Sequence, residues 1–344
     1  MSPWRTGNHV QQRIACCAGT VSPMSGPRHR QVPTNGISMH VAEDGSGPPV
    51  VFCHGFPHTW YVWHRQLPAV AAAGFRAMAP DMRGYGRTDA PAPLSAYTNE
   101  QAVADLTGLL DDIGEERAVF VGLDFGAALT WELALRRPDR VSAVVVFNNP
   151  FLGRGRRRPS ELWAKIAETH FLHLDYFQEP GPADDELNAR PRDFLSSIYY
   201  ALSGDFHYLD IWNNPSEGKG YLDVLPKAPP LPWRWLSQTD FDALASEFER
   251  TGFTGGLNWY RALDLNWELT EPFSTSNIEV PAFFVYGERD CDLEGFSGPD
   301  PIGTMKSRVP DLRAVEAVPE AGHLVQLERT AEVNELLVRF LQSL

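Results

Sequence analysis

Residues 119–128 constrain this chain more than any other stretch. The apolar run Val119, Phe120, Val121 leads into Gly122, Leu123, Asp124, Phe125, Gly126 and then Ala127 and Ala128. A buried strand, a tight turn flanked by glycines and a helix follow one another directly, which is the local pattern of a nucleophile elbow. Such an elbow usually presents serine. Here its apex is Asp124, a carboxylate with a reference pKa of about 3.9 that is ionised at neutral pH without help from a base. A nucleophile of this kind suits attack on an alkyl carbon, and it leaves an ester on the protein that a water must later cleave. The simpler use of an aspartate at this point is to cap the helix that follows.

The 344 residues have room for about two domains, or for one large α/β core carrying an insertion. Hydrophobic residues make up 43% and charged residues 22%, the balance of a chain with a sizeable core. The formal net charge of −14 opposes binding to nucleic acid and to anionic membranes, and it favours a neutral or cationic small-molecule partner. No run approaches the ~20 apolar residues of a membrane span. Residues 1–30 carry Arg5 and Arg13 with no apolar run to follow, so they read as a disordered or non-native tail, with Met24 or Met39 as alternative starts, and not as a secretory signal. The four cysteines, Cys16, Cys17, Cys53 and Cys291, have no metal-ligand spacing and fit a reducing, cytoplasmic setting. A homodimer is compatible with all of this.

From Pro49 onward, short continuous apolar runs alternate with helical patterns, as in a parallel sheet covered on both faces. The expected strands are at residues 50–53, 75–80, 118–121 and 141–147, and then at 282–287 and 314–318. Between Phe151 and Pro272 the rhythm breaks into aromatics, helical stretches such as 240–250, and a proline cluster at Pro226, Pro229, Pro230 and Pro232. The expectation is an α/β fold: a mostly parallel, doubly wound sheet from residues 31–150 and 273–344, with an inserted helical cap over 151–272. Val333, Leu336, Leu337, Phe340 and Leu341 recur at helical spacing in a closing helix from about Thr330. The basic run from Arg154 to Arg158 reads as a solvated turn at the cap hinge.

Three further places carry chemistry. His54, Gly55, Phe56 and Pro57 end the first of these strands, where ligands bind in open α/β sheets. From there the Phe56 N–H, with the Phe125 N–H at the start of the elbow helix, is placed to hold an oxyanion on Asp124. His323 stands behind Gly322 in a loop after the last strand, placed to deprotonate the water that attacks the ester. An acid should orient it. The loop after the preceding strand offers Glu288, Asp290 and Asp292; Asp290 is the first choice and Asp292 the second, and either would serve equally as a turn residue or a partner for Arg289.

These motifs resemble the α/β-hydrolase superfamily and, within it, the epoxide hydrolases with an aspartate nucleophile. The resemblance runs from about Ile37 to the C-terminus, and it includes two cap stretches, Tyr176-Phe177-Gln178-Glu179-Pro180-Gly181 and Gly252 to Arg261. It implies hydrolysis of a small apolar epoxide to a vicinal diol through an aspartyl ester, with no metal or organic cofactor. It also implies that Tyr260 is one of two cap residues donating hydrogen bonds to the epoxide oxygen. The second donor of the family falls three positions before Tyr176, where this chain has His173; the expectation is that His173 replaces a tyrosine and makes ring opening sensitive to pH near neutrality. His170 fits no family position. His54, Pro57 and Trp259 are expected to line the substrate pocket, in a cap whose indoles also include Trp212, Trp233, Trp235 and Trp267.

Two other readings use the same scaffold. Haloalkane and haloacid dehalogenases resemble it in fold and nucleophile, but the former cradle halide with side-chain N–H donors such as a tryptophan after the nucleophile. Phe125 and Phe56 offer none. Haloacetate enzymes place an arginine close behind the nucleophile, whereas the first one here is Arg136. A non-catalytic ligand-binding protein has no use for the intact set Asp124, Asp290 and His323.

Overall fold

A computed structural model describes residues 26–344. Cys16, Cys17, Met24 and the rest of residues 1–25, most of the segment read as a tail, lie outside the described residues. Among those described, eight strands form one sheet: β1 Arg28–Thr34, β2 Ile37–Gly45, β3 Pro49–Cys53, β4 Arg76–Pro80, β5 Ala118–Leu123, β6 Val141–Phe147, β7 Ala282–Gly287 and β8 Leu312–Val318. Their order is β1-β2-β4-β3-β5-β6-β7-β8, with β1, β2 and β4 antiparallel in succession and every later pair parallel. The continuous apolar runs are the central strands: every residue of β3 and β5 is buried, and so is all of β6 except Ser142.

The hairpin β1–β2 is a correction. Arg28, His29 and Arg30 belong to the sheet and not to a tail. The turn is Asn35-Gly36, with φ of 43° and 77°, the conformation that an Asn-Gly pair adopts most readily between antiparallel strands. No apolar run marks β1 because it is an edge strand with an exposed face; Arg28 and Arg30 instead reach Glu43 on β2 at 3.3 and 3.6 Å.

Helices α1 (Gln66–Ala72), α2 (Asn99–Ile113) and α3 (Phe125–Arg136) connect the core strands. α3 packs against β3, β5 and β6, while α1 packs against the closing helix Thr330–Leu341, whose five apolar residues at helical spacing are all buried. From β3 the chain passes to β4 on one side and then returns to β5 on the other. The C-terminal ends of β3 and β5 therefore open a crevice, the usual ligand position in such sheets.

Between β6 and β7 the described residues hold helices and turns but no strand. At the first hinge Arg154 lies 3.6 Å from the Trp267 ring centroid and donates to the Trp267 carbonyl at 2.7 Å. Arg158 pairs with Glu268. No helix among the described residues is long and apolar enough to cross a membrane.

Candidate active site

Asp124 sits at the crevice with φ 57° and ψ −125°, a conformation that side-chain-bearing residues rarely adopt and that the strand-to-helix turn imposes. Its side chain makes no capping bond to α3, so the capping role does not explain it. The carboxylate points across to β3 instead, where Oδ1 accepts the Phe56 N–H at 2.7 Å. A Cβ at Gly55 would overlap that carboxylate, and one at Gly126 would overlap the Cys53 carbonyl; glycine lets the two segments close up. Burial raises the carboxyl pKa, while His323 and the Phe125 and Phe56 N–H groups pull it back only in part.

His323 faces the second carboxylate oxygen, with Nε2 3.9 Å from Asp124 Oδ2. Its Nδ1 is 2.7 Å from Asp290 Oδ2, and Asp290 Oδ1 accepts the N–H groups of Asp292 and Leu293 at 3.0 and 3.1 Å. Asp292 lies 3.9 Å from the same Nδ1 and accepts from Asn149 Nδ2. Geometry thus favours Asp290 over Asp292 as the acid that orients the imidazole. Burial alone would lower the His323 pKa, but Asp290, Asp292 and Asp124 override it and lift it to about 10.

Several residues that fix this geometry escaped the sequence reading. Asn148 donates to the His323 carbonyl at 2.7 Å and accepts the Gly287 N–H at 3.0 Å. Asn149 Oδ1 accepts the Asp124 N–H at 3.1 Å. Both stand at the C-terminal end of β6, and polar residues there are the signal that would have found them. Glu328 Oε1 accepts the Gly322 N–H at 3.1 Å and Oε2 accepts that of Gly204, in the cap, at 2.8 Å. Burial pushes its carboxyl up to about 7 against those two bonds. The raised pKa makes this group's contribution to stability full below its unfolded value of 4.5 and lost as pH rises through about 7. Urea unfolding should therefore show the advantage of wild type over Glu328→Gln shrinking from pH 4.5 to pH 7.

The two cap stretches are bound to each other. Gln178 Nε2 donates to the Tyr260 carbonyl at 3.3 Å, and Arg261 Nε to the Phe177 carbonyl at 3.0 Å. The Tyr260 ring is gripped edge to face by Phe125 and Phe177, with centroids 4.6 and 4.9 Å away. Burial, then the Asp124 charge, keeps its phenol well above the ordinary range and therefore protonated.

A small cavity lies between core and cap. Asp124, His323, Tyr260, His173, Phe56 and Pro57 all line it, joined by Asp292, Cys291, Tyr208, Tyr221 and apolar side chains. His54 does not line it. Its ring is buried, with Nδ1 on the Gly55 carbonyl at 2.9 Å and Nε2 accepting the Met82 N–H at 3.0 Å, so it ties the turn after β3 to the loop after β4. Trp259 does not line it either: its Nε1 donates to the Arg83 carbonyl at 3.0 Å and its ring backs Phe125 at 5.7 Å. Among the described residues no tryptophan lines it; its rings are phenylalanines, tyrosines and the two histidines.

His173 is a partial correction. It lines the cavity, but burial lowers its pKa to about 3, so the ring is neutral near pH 7 and no titration there accompanies it. Nδ1 lies 3.0 Å from Tyr208 Oη, which is 2.5 Å from Tyr221 Oη. Sequence spacing missed both tyrosines because cap packing alone brings them to this ring.

Residues 48–330 match the family described as alpha/beta hydrolase fold. The chain is similar to Epoxide hydrolase A of Mycobacterium tuberculosis, 40% identical over 324 residues that cover 93% of this chain and 99% of the relative. It is likewise similar to Epoxide hydrolase 2 of Siraitia grosvenorii, 41% identical with 92% and 98% covered. Among solved structures it matches Epoxide Hydrolase A from Mycobacterium thermoresistibile with a TM-score of 0.86 and 42% identity, covering 92% of this chain and 98% of that one. The chain belongs to the epoxide hydrolase family of α/β hydrolases.

Proposed function

We propose that this protein hydrolyses an epoxide to a vicinal diol in two covalent steps centred on Asp124. The observation that carries the reading is a carboxylate nucleophile facing the His323 imidazole at 3.9 Å in a cavity that also holds the Tyr260 phenol. Asp124 Oδ1 is engaged by the Phe56 N–H, which leaves Oδ2 as the attacking atom. Attack on a ring carbon forms the ester C–O bond and breaks the ring C–O bond, and Tyr260 stabilises the departing oxygen by hydrogen bonding. A neutral His173 whose Nδ1 accepts from the Tyr208 hydroxyl has Nε2–H left to donate as the second support.

The protons then balance. In the resting state the imidazole holds a proton that three carboxylates favour; that proton passes to the ring-opened oxygen, and the neutral imidazole left behind accepts one from water as that water attacks the ester carbonyl. The tetrahedral oxyanion on Oδ1 falls to the Phe56 and Phe125 N–H groups. Collapse breaks the Cγ–Oδ2 bond, the departing oxygen takes the proton of the newly formed carboxyl group, and the diol leaves with Asp124 again a carboxylate and His323 again an imidazolium. Among the described residues the cavity wall holds no tryptophan and so none of the indole donors a departing halide would use, which supports an epoxide over a haloalkane. The buried free thiols Cys53 and Cys291 fit a reducing compartment.

Diol formation from styrene oxide and from 1,2-epoxyhexane tests this reading, and halide release with no diol would overturn it. Tyr260→Phe should slow enzyme alkylation about 100-fold while leaving ester hydrolysis nearly unchanged, as measured by rapid quench with mass detection of the ester.

A further inference from the structure

We propose that Asp292 selects epoxides that carry a hydroxyl group on the chain attached to the ring. The inference rests on the proposed epoxide hydrolysis and concerns the substrate class.

Asp290, and not Asp292, makes the hydrogen bond that holds the imidazole. Its Nδ1 is taken by Asp290 at 2.7 Å, and Asp292 stands off at 3.9 Å. Asp292 instead lines the cavity, about one fifth of its side chain exposed there, with Oδ2 held by Asn149. Its Oδ1 has one donor among the described residues, the weak Cys291 thiol at 4.0 Å. Among the described residues no lysine or arginine lines the cavity, so His323, already paired with Asp290, is the one cation they place there.

An entirely apolar substrate would strip water from this carboxyl group and give nothing back, a desolvation that costs unless a new hydrogen bond replaces it. A substrate hydroxyl supplies that bond. Burial, with the Asp290 and Asp124 charges, also raises the Asp292 carboxyl against the pull of His323, which brings the acid into play beside the carboxylate. A hydroxyl serves both, donating to the carboxylate or accepting from the acid. The rest of the substrate has apolar wall to lie against, from Phe177, Ile198, Leu202 and Phe296.

The test compares kcat/KM for 1,2-epoxyhexane with those for its 3-, 4-, 5- and 6-hydroxy derivatives, in wild type, Asp292→Leu and Asp292→Asn. At least one hydroxy isomer should be preferred by about tenfold or more in wild type; Asp292→Leu should abolish that preference, and Asp292→Asn, which keeps a polar head, should retain part of it. Turnover of 1,2-epoxyhexane by wild type with no isomer preferred would overturn the proposal and leave epoxide hydrolysis standing. A preference that survives Asp292→Leu would do the same. Absence of diol from every epoxide would remove both.

Discussion

Replacing His323 with glutamine is expected to stop the protein at its covalent ester. Attack by Asp124 needs no base, and in the variant the ring-opened oxygen, still supported by Tyr260, takes its proton from water instead of the imidazolium, so the alkylation step is slowed but survives the change. Hydrolysis does need one, because water must lose a proton as it reaches the ester carbonyl, and a well-placed base contributes about 10²–10⁴-fold to such a step. The variant should therefore bind one equivalent of epoxide, with the added mass on the peptide containing Asp124, while diol formation falls about 1,000-fold or more. Intact-protein mass spectrometry after mixing with styrene oxide reads the adduct directly. An unmodified variant would show that the imbalance between the two steps does not exist.

Asp124→Asn carries the second large effect. An amide is a poor nucleophile, and it also places an NH2 group where the Phe56 N–H at 2.7 Å needs an acceptor or leaves the cavity-facing atom a donor. Both steps depend on the carboxylate, so diol formation should drop about 10⁴-fold or more with no ester detectable. Removal of the buried charge should not harm folding, because burial already raises the Asp124 pKa and the neutral form is easier to bury. A thermal melt at or above the wild-type value, together with the lost turnover, separates chemistry from stability.

Much of this site could be read along the chain because its parts lie where strands end. Asp124 follows β5, His323 stands in the loop after β8, and Asp290 follows β7; in a parallel sheet these C-terminal ends share one edge, so order along the sequence becomes proximity in space. What escaped depends on neighbours that order does not encode. His54 looked like a pocket residue by position, yet its two ring nitrogens are spent on Gly55 and Met82. Tyr208 and Tyr221 meet His173 only because cap helices stack, with the His173 and Tyr221 rings parallel at 5.5 Å. Asn149 and Glu328 act through backbone N–H groups of other loops, and no spacing rule announces such contacts. The β1–β2 hairpin was signalled by Asn35-Gly36, but its exposed edge strand lacks the apolar run that marked the central strands.

The most direct measurement follows solvent oxygen. In water enriched in ¹⁸O, a single turnover by excess enzyme should give diol whose new oxygen is unlabelled, because it came from Asp124, and the label should appear in the Asp124 carboxylate. Labelled diol in that first turnover, with the Asp124 peptide unchanged in mass, would mean that water attacks the epoxide itself and would contradict the covalent account.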